Sequence, residues 1–271
     1  QGSKAIVTCV KCGAKNGINM GPLLIAQSKG STSQFSLKMG ANTIGRKTSS
    51  LVTDIVLDDE YVSKKHATIM LENINDKLFI VISDALGVTK IFYTSNNITF
   101  DHFVYINTGG KSKLPVSAAE IIQTGNNEYQ VFLGDLNGMI NFTKLQMISN
   151  SIYNYNELKG LPVHNGNKVT MLKYCNLSKY LFSCGRDGSY KKLFFNGESL
   201  SEIDSKNKVD ITSLEYFDEK ILAGHYGRYL VLQDQSKNII FHSNDVKGSN
   251  RPFDLIRFND TIYYCYSQAK S

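Results

Sequence analysis

The stretch FSLKMGANTIGRKTSSLVTDIVLDDEYVSKKHATI, from Phe35 to Ile69, decides how this chain is interpreted. It contains an Ile-Gly-Arg triplet at residues 44–46 and, further on, a Ser-x-x-His pattern formed by Ser63 and His66. Between them, residues 54–59 (Asp-Ile-Val-Leu-Asp-Asp) have the pattern of a short acidic strand. An arginine fork and a serine hydroxyl on two neighbouring loops can hold one phosphate group without a chemical step. The stretch therefore indicates anion recognition by a non-catalytic site.

Short runs rich in Val, Ile, Phe and Tyr recur along the rest of the chain, separated by Gly, Asn, Asp and Ser. The strands predicted from these runs include Leu78–Ile82, Thr89–Tyr93, Phe103–Ile106, Tyr129–Leu133, Lys192–Phe195 and Tyr229–Leu232. Only Pro115–Gln123 has the pattern of a short helix, and its Ile121-Ile122 pair also fits a strand. Because no long segment has a period of 3.6 residues, the sequence predicts an all-β fold.

The two motifs of the opening stretch, with their spacing and the strand between them, resemble those of forkhead-associated (FHA) domains. The resemblance covers about residues 21–134 and implies an FHA-like β-sandwich. Leu23–Ala26 and Gln34–Leu37 are similar to its first two strands, and Leu78–Asp84 with Thr89–Tyr93 to its middle strands. Residues 120–125 and 129–133 are similar to the pair that closes the sandwich.

The resemblance also assigns roles to single residues. It implies that a phosphothreonine is bound by Arg46, Ser63, Lys64 and Thr89. It further implies that His66 packs inward and ties its loop to the core. Gly45 is expected to let the backbone turn tightly before Arg46. A doubly charged phosphate suits the planar fork of Arg46 better than a carboxylate does.

One turn departs from the family pattern. FHA domains carry an Asn-Gly-Thr-like turn after the sixth strand, and its Asn holds the backbone of the bound peptide. Here the stretch reads Asp84-Ala-Leu-Gly-Val-Thr-Lys90, which keeps Gly87 and Thr89 in rough register but has no Asn. A sandwich that binds unphosphorylated partners is therefore a further hypothesis.

The C-terminal part, residues 135–271, shows a second regularity. Units that begin at Val169 and Val209 each contain a strand, a gap, a strand, a Gly turn and a strand, and another begins near Phe253. A period near 40 residues is typical of β-propeller blades. The units resemble WD40-type repeats, although the chain has no Trp and so no Trp-Asp dipeptide. A hairpin turn of type I′ is expected at Arg186-Asp187-Gly188. The alternative fold is one WD40-like propeller throughout the chain, with hairpins centred on Gly30, Gly87, Gly138, Gly188 and Gly227.

Residues 1–20 form a separate N-terminal segment, of which Gln1-Gly2-Ser3 resembles a tag remnant. Cys9 and Cys12 form a lone Cys-x-x-Cys pair, and because a structural zinc ion needs four ligands, no metal and no cofactor is expected. Five cysteines without framework spacing are typical of an intracellular protein, nuclear or cytoplasmic. The chain has no apolar run of membrane-spanning length, so no membrane partner is expected.

These observations predict a non-catalytic, phosphothreonine-dependent protein–protein interaction adaptor in intracellular or nuclear signalling. Its partners would be a phosphorylated protein and, through the C-terminal β repeats, other protein subunits. The alternative is a propeller scaffold subunit of a complex acting on RNA or DNA, without phosphate recognition. The net charge of +6 is compatible with nucleic acid, but the lysines are scattered and form no basic run. No Ser/His/Asp arrangement or paired carboxylate indicates an enzyme.

Overall fold

The computed structural model describes most of the chain. The described residues are 4–8, 15–19, 23–28, 31–38, 40–46, 53–57, 62, 66–74, 77–84, 87–94, 103–107, 114–148, 151–154, 157–175, 178–206, 211, 213–217, 220–225, 228–232, 238–241, 253–258 and 261–266. Within these ranges every regular element is a strand, which confirms the all-β prediction. In the same ranges the structure contains no helix that could span a membrane.

The chain forms two compact units, residues 1–115 with 146–154, and residues 116–145 with 155–271. The strands before residue 116 are β1 (Lys4–Thr8), β2 (Lys15–Asn19), β3 (Leu23–Ser28), β4 (Ser31–Ser36), β5 (Gly40–Gly45), β6 (Ile55–Val56), β7 (Ala67–Ile74), β8 (Lys77–Asp84), β9 (Val88–Thr94) and β10 (Phe103–Asn107). The next strands are β11 (Val116–Gly125), β12 (Glu128–Asp135), β13 (Met139–Ile148), β14 (Ser151–Asn154) and β15 (Lys159–Pro162).

The remaining strands all belong to the second unit. They are β16 (Val169–Cys175), β17 (Tyr180–Gly185), β18 (Tyr190–Phe195), β19 (Leu200–Lys206), β20 (Ser213–Phe217), β21 (Lys220–His225), β22 (Arg228–Leu232), β23 (Asn238–Phe241), β24 (Phe253–Phe258) and β25 (Thr261–Tyr266). These strands include the predicted runs at Lys192–Phe195 and Tyr229–Leu232.

The main sheet of the first unit has six strands in the order β10-β9-β8-β7-β5-β6. All its neighbours are antiparallel except β5 and β6, which run parallel with Ile44 opposite Ile55 and Gly45 opposite Val56. This order differs from a propeller blade, whose strands follow one another in sequence as an antiparallel meander. Residues 40–70 therefore favour the FHA-like sandwich over one propeller throughout the chain.

A second layer covers one face of this sheet. The hairpin of β3 and β4 packs Leu24 and Phe35 against a buried cluster of the six-stranded sheet and its flanking segment. The cluster consists of Leu37, Ile44, Ile55, Ile69, Leu71 and Ile80. The opposite face is also apolar and buried, with the Phe79 and Tyr93 ring centroids 5.6 Å apart. Because both faces are buried, the strands lack a simple alternation of polar and apolar residues.

The second unit is built from consecutive antiparallel strands. In its first sheet β12 lies between β11 and β13, and β15 pairs with β13. Two further sheets have four strands each, in the orders β16-β17-β18-β19 and β20-β21-β22-β23, and β24 pairs with β25. Four-stranded meanders in sequence order are the form of propeller blades, which agrees with the propeller-like repeats expected in this half.

The core of the second unit joins the sheet that begins with β11 to the sheet that begins with β16. Phe132 has no exposed surface, and its ring centroid lies 5.6 Å from that of Tyr174 and 5.1 Å from that of Phe195. The hydroxyl of Ser117 donates a hydrogen bond of 2.6 Å to the Val169 carbonyl. Strands β11 and β12 therefore pack against the repeat that follows them.

Two sequence expectations differ from this arrangement. The segment Pro115–Gln123, considered for a short helix, lies almost entirely in β11, because its apolar residues are buried on a strand. Residues 120–133, expected to close the first sandwich, belong to the second compact unit. The described contacts of Glu120 explain this, since its carboxylate accepts a hydrogen bond of 3.0 Å from the Tyr174 N–H.

Three hairpin turns share one backbone design. Gly87, Gly138 and Gly188 have φ angles of 79°, 79° and 72°, and each N–H donates to the carbonyl of the residue three positions earlier. Arg186 and Asp187 are not among the described residues with positive φ. A type I′ turn requires positive φ at both central residues, so the prediction of type I′ at Arg186-Asp187-Gly188 is wrong. The single positive φ at the glycine is typical of the bulged hairpin turn.

Candidate functional site

The end of β5 is the point where the two sequence motifs meet. Leu57, just after β6, donates its N–H to the Gly45 carbonyl over 3.0 Å. His66, just before β7, donates its N–H to the Ile44 carbonyl over 2.9 Å. The segment between Leu57 and His66 therefore leaves the sheet on one side of β5 and returns on the other. Arg46 follows β5 directly, between these two attachment points.

Two of the four residues expected at the phosphate, Arg46 and Thr89, lie in the described part of the chain. The Arg46 side chain is half-buried just after the end of β5. Ser63 and Lys64 lie outside the described residues. The structure thus gives the position of Arg46 and of the two residues, Leu57 and His66, that anchor the segment containing Ser63.

Gly45 has a different role from the one expected. It is the buried last residue of β5, and it is paired with Val56 of the parallel neighbour. It is also not among the described glycines with positive φ. The expected tight turn at Gly45 is therefore corrected to an extended strand residue, because the ladder with β6 continues through it.

His66 supports the site through its backbone. Its side chain is exposed, whereas the family resemblance implied an inward-packed imidazole. The bond from its N–H to Ile44 still ties the start of β7 to β5. The expectation that His66 anchors this loop is thus met by a main-chain contact, and the inward packing is corrected.

Thr89 is not available to a ligand. Its side chain has no exposed surface, and its Oγ1 lies 3.3 Å from the hydroxyl of Ser83 on the neighbouring strand β8. This burial corrects the expectation that Thr89 contacts phosphate, because a bound anion cannot reach a hydroxyl inside the sheet. The two hydroxyls instead satisfy each other within the buried face.

A charged network, which we call the Asp54 cluster (Lys38, Thr43 and Asp54), lies beside the end of β5. One oxygen of Asp54 accepts a hydrogen bond of 2.6 Å from the Lys38 ammonium group. The other oxygen accepts from the Thr43 N–H and the Thr43 hydroxyl, each over 2.8 Å. In return, the Asp54 N–H donates to the Thr43 hydroxyl oxygen over 3.1 Å.

The Asp54 carboxyl is ionised at neutral pH. Partial burial alone raises its pKa, but the hydrogen bonds from Lys38 and Thr43 and the charge of Lys38 outweigh this effect. The net result is a pKa below the ordinary value of 3.8. A carboxylate that accepts several hydrogen bonds is a strong acceptor, and the cluster therefore links the residues before β5, β5 itself and the start of β6.

Asn42 fixes the start of the same strand. Its side chain is 2% exposed, and its Oδ1 accepts from the Lys38 N–H over 2.9 Å. Its Nδ2 group donates to the carbonyls of Lys38, Gly40 and Ile69. The turn that contains Gly40, with φ of 78°, is thus held to β7 as well as to β5. This residue was not singled out from the sequence, since a buried asparagine has no local signature.

The turn that departs from the family pattern is closed by its aspartate. Asp84 accepts a hydrogen bond of 3.0 Å from the Val88 N–H, and its carbonyl accepts from Gly87 over 3.2 Å. The Asp84 carboxylate therefore stabilises its own hairpin. A carboxylate also lacks the N–H donors that an Asn side chain offers to a peptide carbonyl.

Cys9 and Cys12, considered as metal ligands, lie outside the described residues. Among the described residues, no group of three or more His, Cys, Asp or Glu side chains could hold a metal ion. The thiols of Cys175 and Cys184 are buried and form no disulfide, and burial raises the pKa of Cys184. A neutral, inaccessible thiol is not a reactive group.

The second unit contains a buried polar network that the sequence analysis missed. The His164 side chain is completely buried, with Nε2 2.8 Å from the Ser183 hydroxyl and Nδ1 3.2 Å from both Asp187 Oδ1 and the Ser189 hydroxyl. Because an ionised carboxylate only accepts, Nδ1 carries the hydrogen toward Asp187 and the Ser183 hydroxyl donates to Nε2. The signal in the sequence was Val163-His164 ahead of the strand that starts at Val169.

This network joins the loop before β16 to the turn between β17 and β18. Burial lowers the pKa of His164, although the nearby Asp187 carboxylate opposes that change. Burial alone raises the pKa of Asp187. The hydrogen bonds from Ser189 and the contact with His164 lower it by a larger amount, so the net pKa is below the ordinary value. The groups have all their partners within the fold, so the arrangement is structural and presents no nucleophile to solvent.

Comparison with known proteins gives one match in sequence and several in structure. The β-propeller domain of Myceliophteria thermophila Cps50 (Swd1) is similar with a TM-score of 0.45 and 10% identity, over 65% of this chain and 59% of that domain. The computationally designed Ika8 protein has a TM-score of 0.48 and 15% identity, over 94% of this chain and 75% of its own. The chain thus spans less than two thirds of the Cps50 domain. No sequence match to a curated protein was found. The family model of the FHA domain matches residues 42–102, the segment that contains Arg46, Asp54, His66 and the turn after β8.

Proposed function

We propose that this chain is a non-catalytic adaptor that binds phosphothreonine-containing segments of partner proteins through its first unit. The observation that carries this proposal is the shared anchoring at the end of β5. Arg46 follows the strand, and both ends of the segment that contains Ser63 and Lys64 are bonded to Ile44 and Gly45. The match to the FHA domain covers the same elements, and FHA domains are phosphopeptide-binding modules.

Covalent geometry supports the pairing of the two motifs. Ser63 precedes His66 by three residues, and because consecutive Cα atoms are about 3.8 Å apart, the two Cα atoms lie within about 11 Å. Arg46 is two residues from Ile44, the acceptor of the His66 N–H. A guanidinium group and a hydroxyl can therefore reach one phosphate, the first as a bidentate fork and the second as a single donor.

The proposed ligand site consists of Arg46, Ser63 and Lys64, supported by Gly45 and by the backbone of His66. Thr89 is not included, because it is buried. Phosphate selectivity follows from charge, since a phosphothreonine carries nearly two negative charges at neutral pH and three acceptor oxygens. Selection of residues that flank the phosphothreonine would be weak, because the turn at residues 84–90 has no Asn to hold the peptide backbone. The Asp84 carboxylate instead accepts a hydrogen bond within that turn.

The direct experiment is a phosphothreonine peptide-library screen on the whole chain, followed by calorimetry with a selected peptide. Replacement Arg46→Ala should weaken binding by about tenfold to a hundredfold, since a hydrogen bond to a charged group contributes about 1.5–3 kcal/mol. Arg186→Ala is the matched control, because Arg186 is an exposed arginine outside the FHA match. Unchanged affinity in Arg46→Ala would reject the proposal.

A second role belongs to the other unit. We infer that its four-stranded antiparallel sheets bind further protein subunits, as β-repeat surfaces do, and that the chain acts inside the cell. The meander order of β16–β19 and of β20–β23 favours this role, and the buried thiols of Cys175 and Cys184, which form no disulfide, fit a reducing compartment. A partner captured equally by wild type and Arg46→Ala, from phosphatase-treated extract, would identify this surface. Capture that requires Arg46 would assign the partner to the first unit.

A further inference from the structure

The Asp54 cluster occupies a distinctive position in the first unit. Its three members come from the segment before β5, from β5 itself and from the residue that precedes β6. Thr43 lies three residues before Arg46 on the same strand. Three of its four bonds converge on one carboxylate, which accepts from an ammonium group, a backbone N–H and a hydroxyl. The cluster therefore fixes the position of β6 relative to β5.

The pairing of β5 and β6 fixes the position of Leu57, from which the chain continues to Ser63 and Lys64. β6 is only two residues long and has only two paired positions with β5. Two paired positions are a weak attachment, because an isolated short strand gains few ladder bonds. The Asp54 bonds with Thr43 add three contacts at the start of the pair, and the Leu57 bond to Gly45 adds one at its end.

We propose that Asp54 is a positioning residue for phosphate recognition, which holds β6 on β5 beside the strand end from which Arg46 extends. This inference rests on the proposed function. It goes beyond that function because it assigns the recognition geometry to a carboxylate that does not itself contact an anion. Lys38 contributes by neutralising the carboxylate, at an Nζ to Oδ1 distance of 2.6 Å.

The direction of the change in peptide affinity on removal of the Asp54 charge distinguishes positioning from simple charge repulsion. Asp54 is negative, so removal of its charge should tighten anion binding if only the Coulomb energy matters. Three residues along a strand span about 10 Å, which equals the Debye length at about 0.1 M salt, so this direct repulsion is small. Loss of the bonds to Thr43 and Lys38 should instead weaken binding. Positioning therefore predicts the opposite sign.

The test compares Asp54→Asn with wild type in calorimetry against the phosphothreonine peptide selected from the library. We expect a loss of affinity of about fivefold, consistent with the loss of about one net hydrogen bond. Lys38→Met should give a smaller loss, because the bonds to Thr43 remain. Glu202→Gln, which removes the remote exposed pair between Lys191 and Glu202 at 3.3 Å, is the matched control and should leave affinity unchanged.

A double-mutant cycle with Arg46→Lys distinguishes positioning from general destabilisation. Lys keeps the positive charge but lacks the planar fork that must be aimed. The loss of affinity caused by Asp54→Asn should therefore be at least threefold smaller in the Arg46→Lys background than in the wild-type background. An equal loss in both backgrounds, or tighter binding of Asp54→Asn, would overturn the inference.

The last measurement keeps the inference testable if the proposed function fails. If the wild-type chain binds no phosphothreonine peptide, the proposed function is rejected, and the Arg46 Nε–Hε resonance of the ligand-free protein decides the rest. A shift of this resonance in Asp54→Asn, but not in Glu202→Gln, would still show that Asp54 positions Arg46. An unchanged resonance would overturn that role as well.

Discussion

The imidazole of His164 is completely buried, and its Nδ1 lies 3.2 Å from a carboxylate oxygen of Asp187. Burial lowers the pKa of His164 below 6.5, because the protonated ring would carry its charge in a site without water to solvate it. Asp187 is partly exposed and compensates only in part. The neutral imidazole is therefore the form that the fold requires. Its two nitrogen atoms connect groups on both sides of the ring, Ser183 and Asp187.

This pKa decrease makes stability depend on pH. Below pH 6.5 the unfolded chain binds a proton at His164 before the folded chain does, so the free energy of unfolding falls as the pH falls through this range. Above pH 6.5 the contribution is fully present. Urea unfolding of wild type between pH 5 and pH 8 should show this slope, and His164→Gln should reduce it. His66→Gln, which replaces an exposed histidine, is the control and should keep the wild-type slope.

Gly138 gives a second test on a single residue. Its φ is 79°, and a Cβ atom there would lie 2.7 Å from the Asn167 carbonyl oxygen. Gly166 has the same φ of 79°, but a Cβ atom there would lie 3.7 Å from its nearest neighbour, Asn137 Oδ1. Gly166→Ala should cost about 1–2 kcal/mol from backbone strain alone. Gly138→Ala should cost clearly more in the free energy of unfolding, because the backbone must also move. Equal costs would contradict this packing.

The roles of residues were predictable where the residues belong to a known motif. They were not predictable where the role depends on whether the side chain is buried. The sequence identified Arg46 and its spacing from Ser63 because these residue types recur at fixed positions in a known pattern. It assigned a ligand role to Thr89, which is buried, because register alone does not report which face of a strand is covered. It missed Asn42 and His164, whose hydrogen-bond partners lie on other strands or turns.

At the scale of elements, one aromatic cluster holds two sheets of the second unit together. Phe132 on β12 contacts Tyr174 on β16 and Phe195 on β18, with ring centroids 5.6 Å and 5.1 Å away. The ring of Phe142 on β13 lies 5.9 Å from Phe195. The cluster stabilises the contact between consecutive repeats by burial of apolar area and by edge-to-face geometry.

Removal of the central ring should therefore be costly. Phe132→Ala should lower the free energy of unfolding by about 3–5 kcal/mol, as other buried Phe truncations do. Phe194→Ala is the matched control, because Phe194 is only half-buried beside Tyr180, with ring centroids 6.0 Å apart. Chemical denaturation followed by circular dichroism measures both. Equal destabilisation by the two variants would show that the cluster does not join the sheets.

Element types followed from local pattern, whereas element partners did not. Runs of β-branched and aromatic residues predicted strands that the structure confirms, including β8, β9, β18 and β22. The partner of β11 could not be read locally. Its bonds from Ser117 and Glu120 reach residues 52 and 54 positions away, in a different repeat. A hairpin that closes a sandwich and one that begins a repeat have the same alternation of residues.

At the scale of the whole molecule, the FHA match and the Asp54 cluster both belong to the first compact unit. The sequence predicted two regions divided near residue 134, and the compact units instead divide at Pro115 and Val116, with residues 146–154 in the first. Composition predicted the all-β class, but such a boundary depends on contacts between distant segments. The bonds that anchor Leu57 and His66 to β5 lie within the first unit, and the second unit contributes the β repeats.

The central claim is that the first unit binds phosphate through Arg46. The measurement that tests it most directly is a calorimetric titration of the whole chain with a library-selected phosphothreonine peptide and with its unphosphorylated twin. We expect the phosphorylated peptide to bind at least tenfold tighter than its twin, and we expect Arg46→Ala to abolish this difference. Equal affinity for the two peptides, or a preference that survives Arg46→Ala, would contradict it.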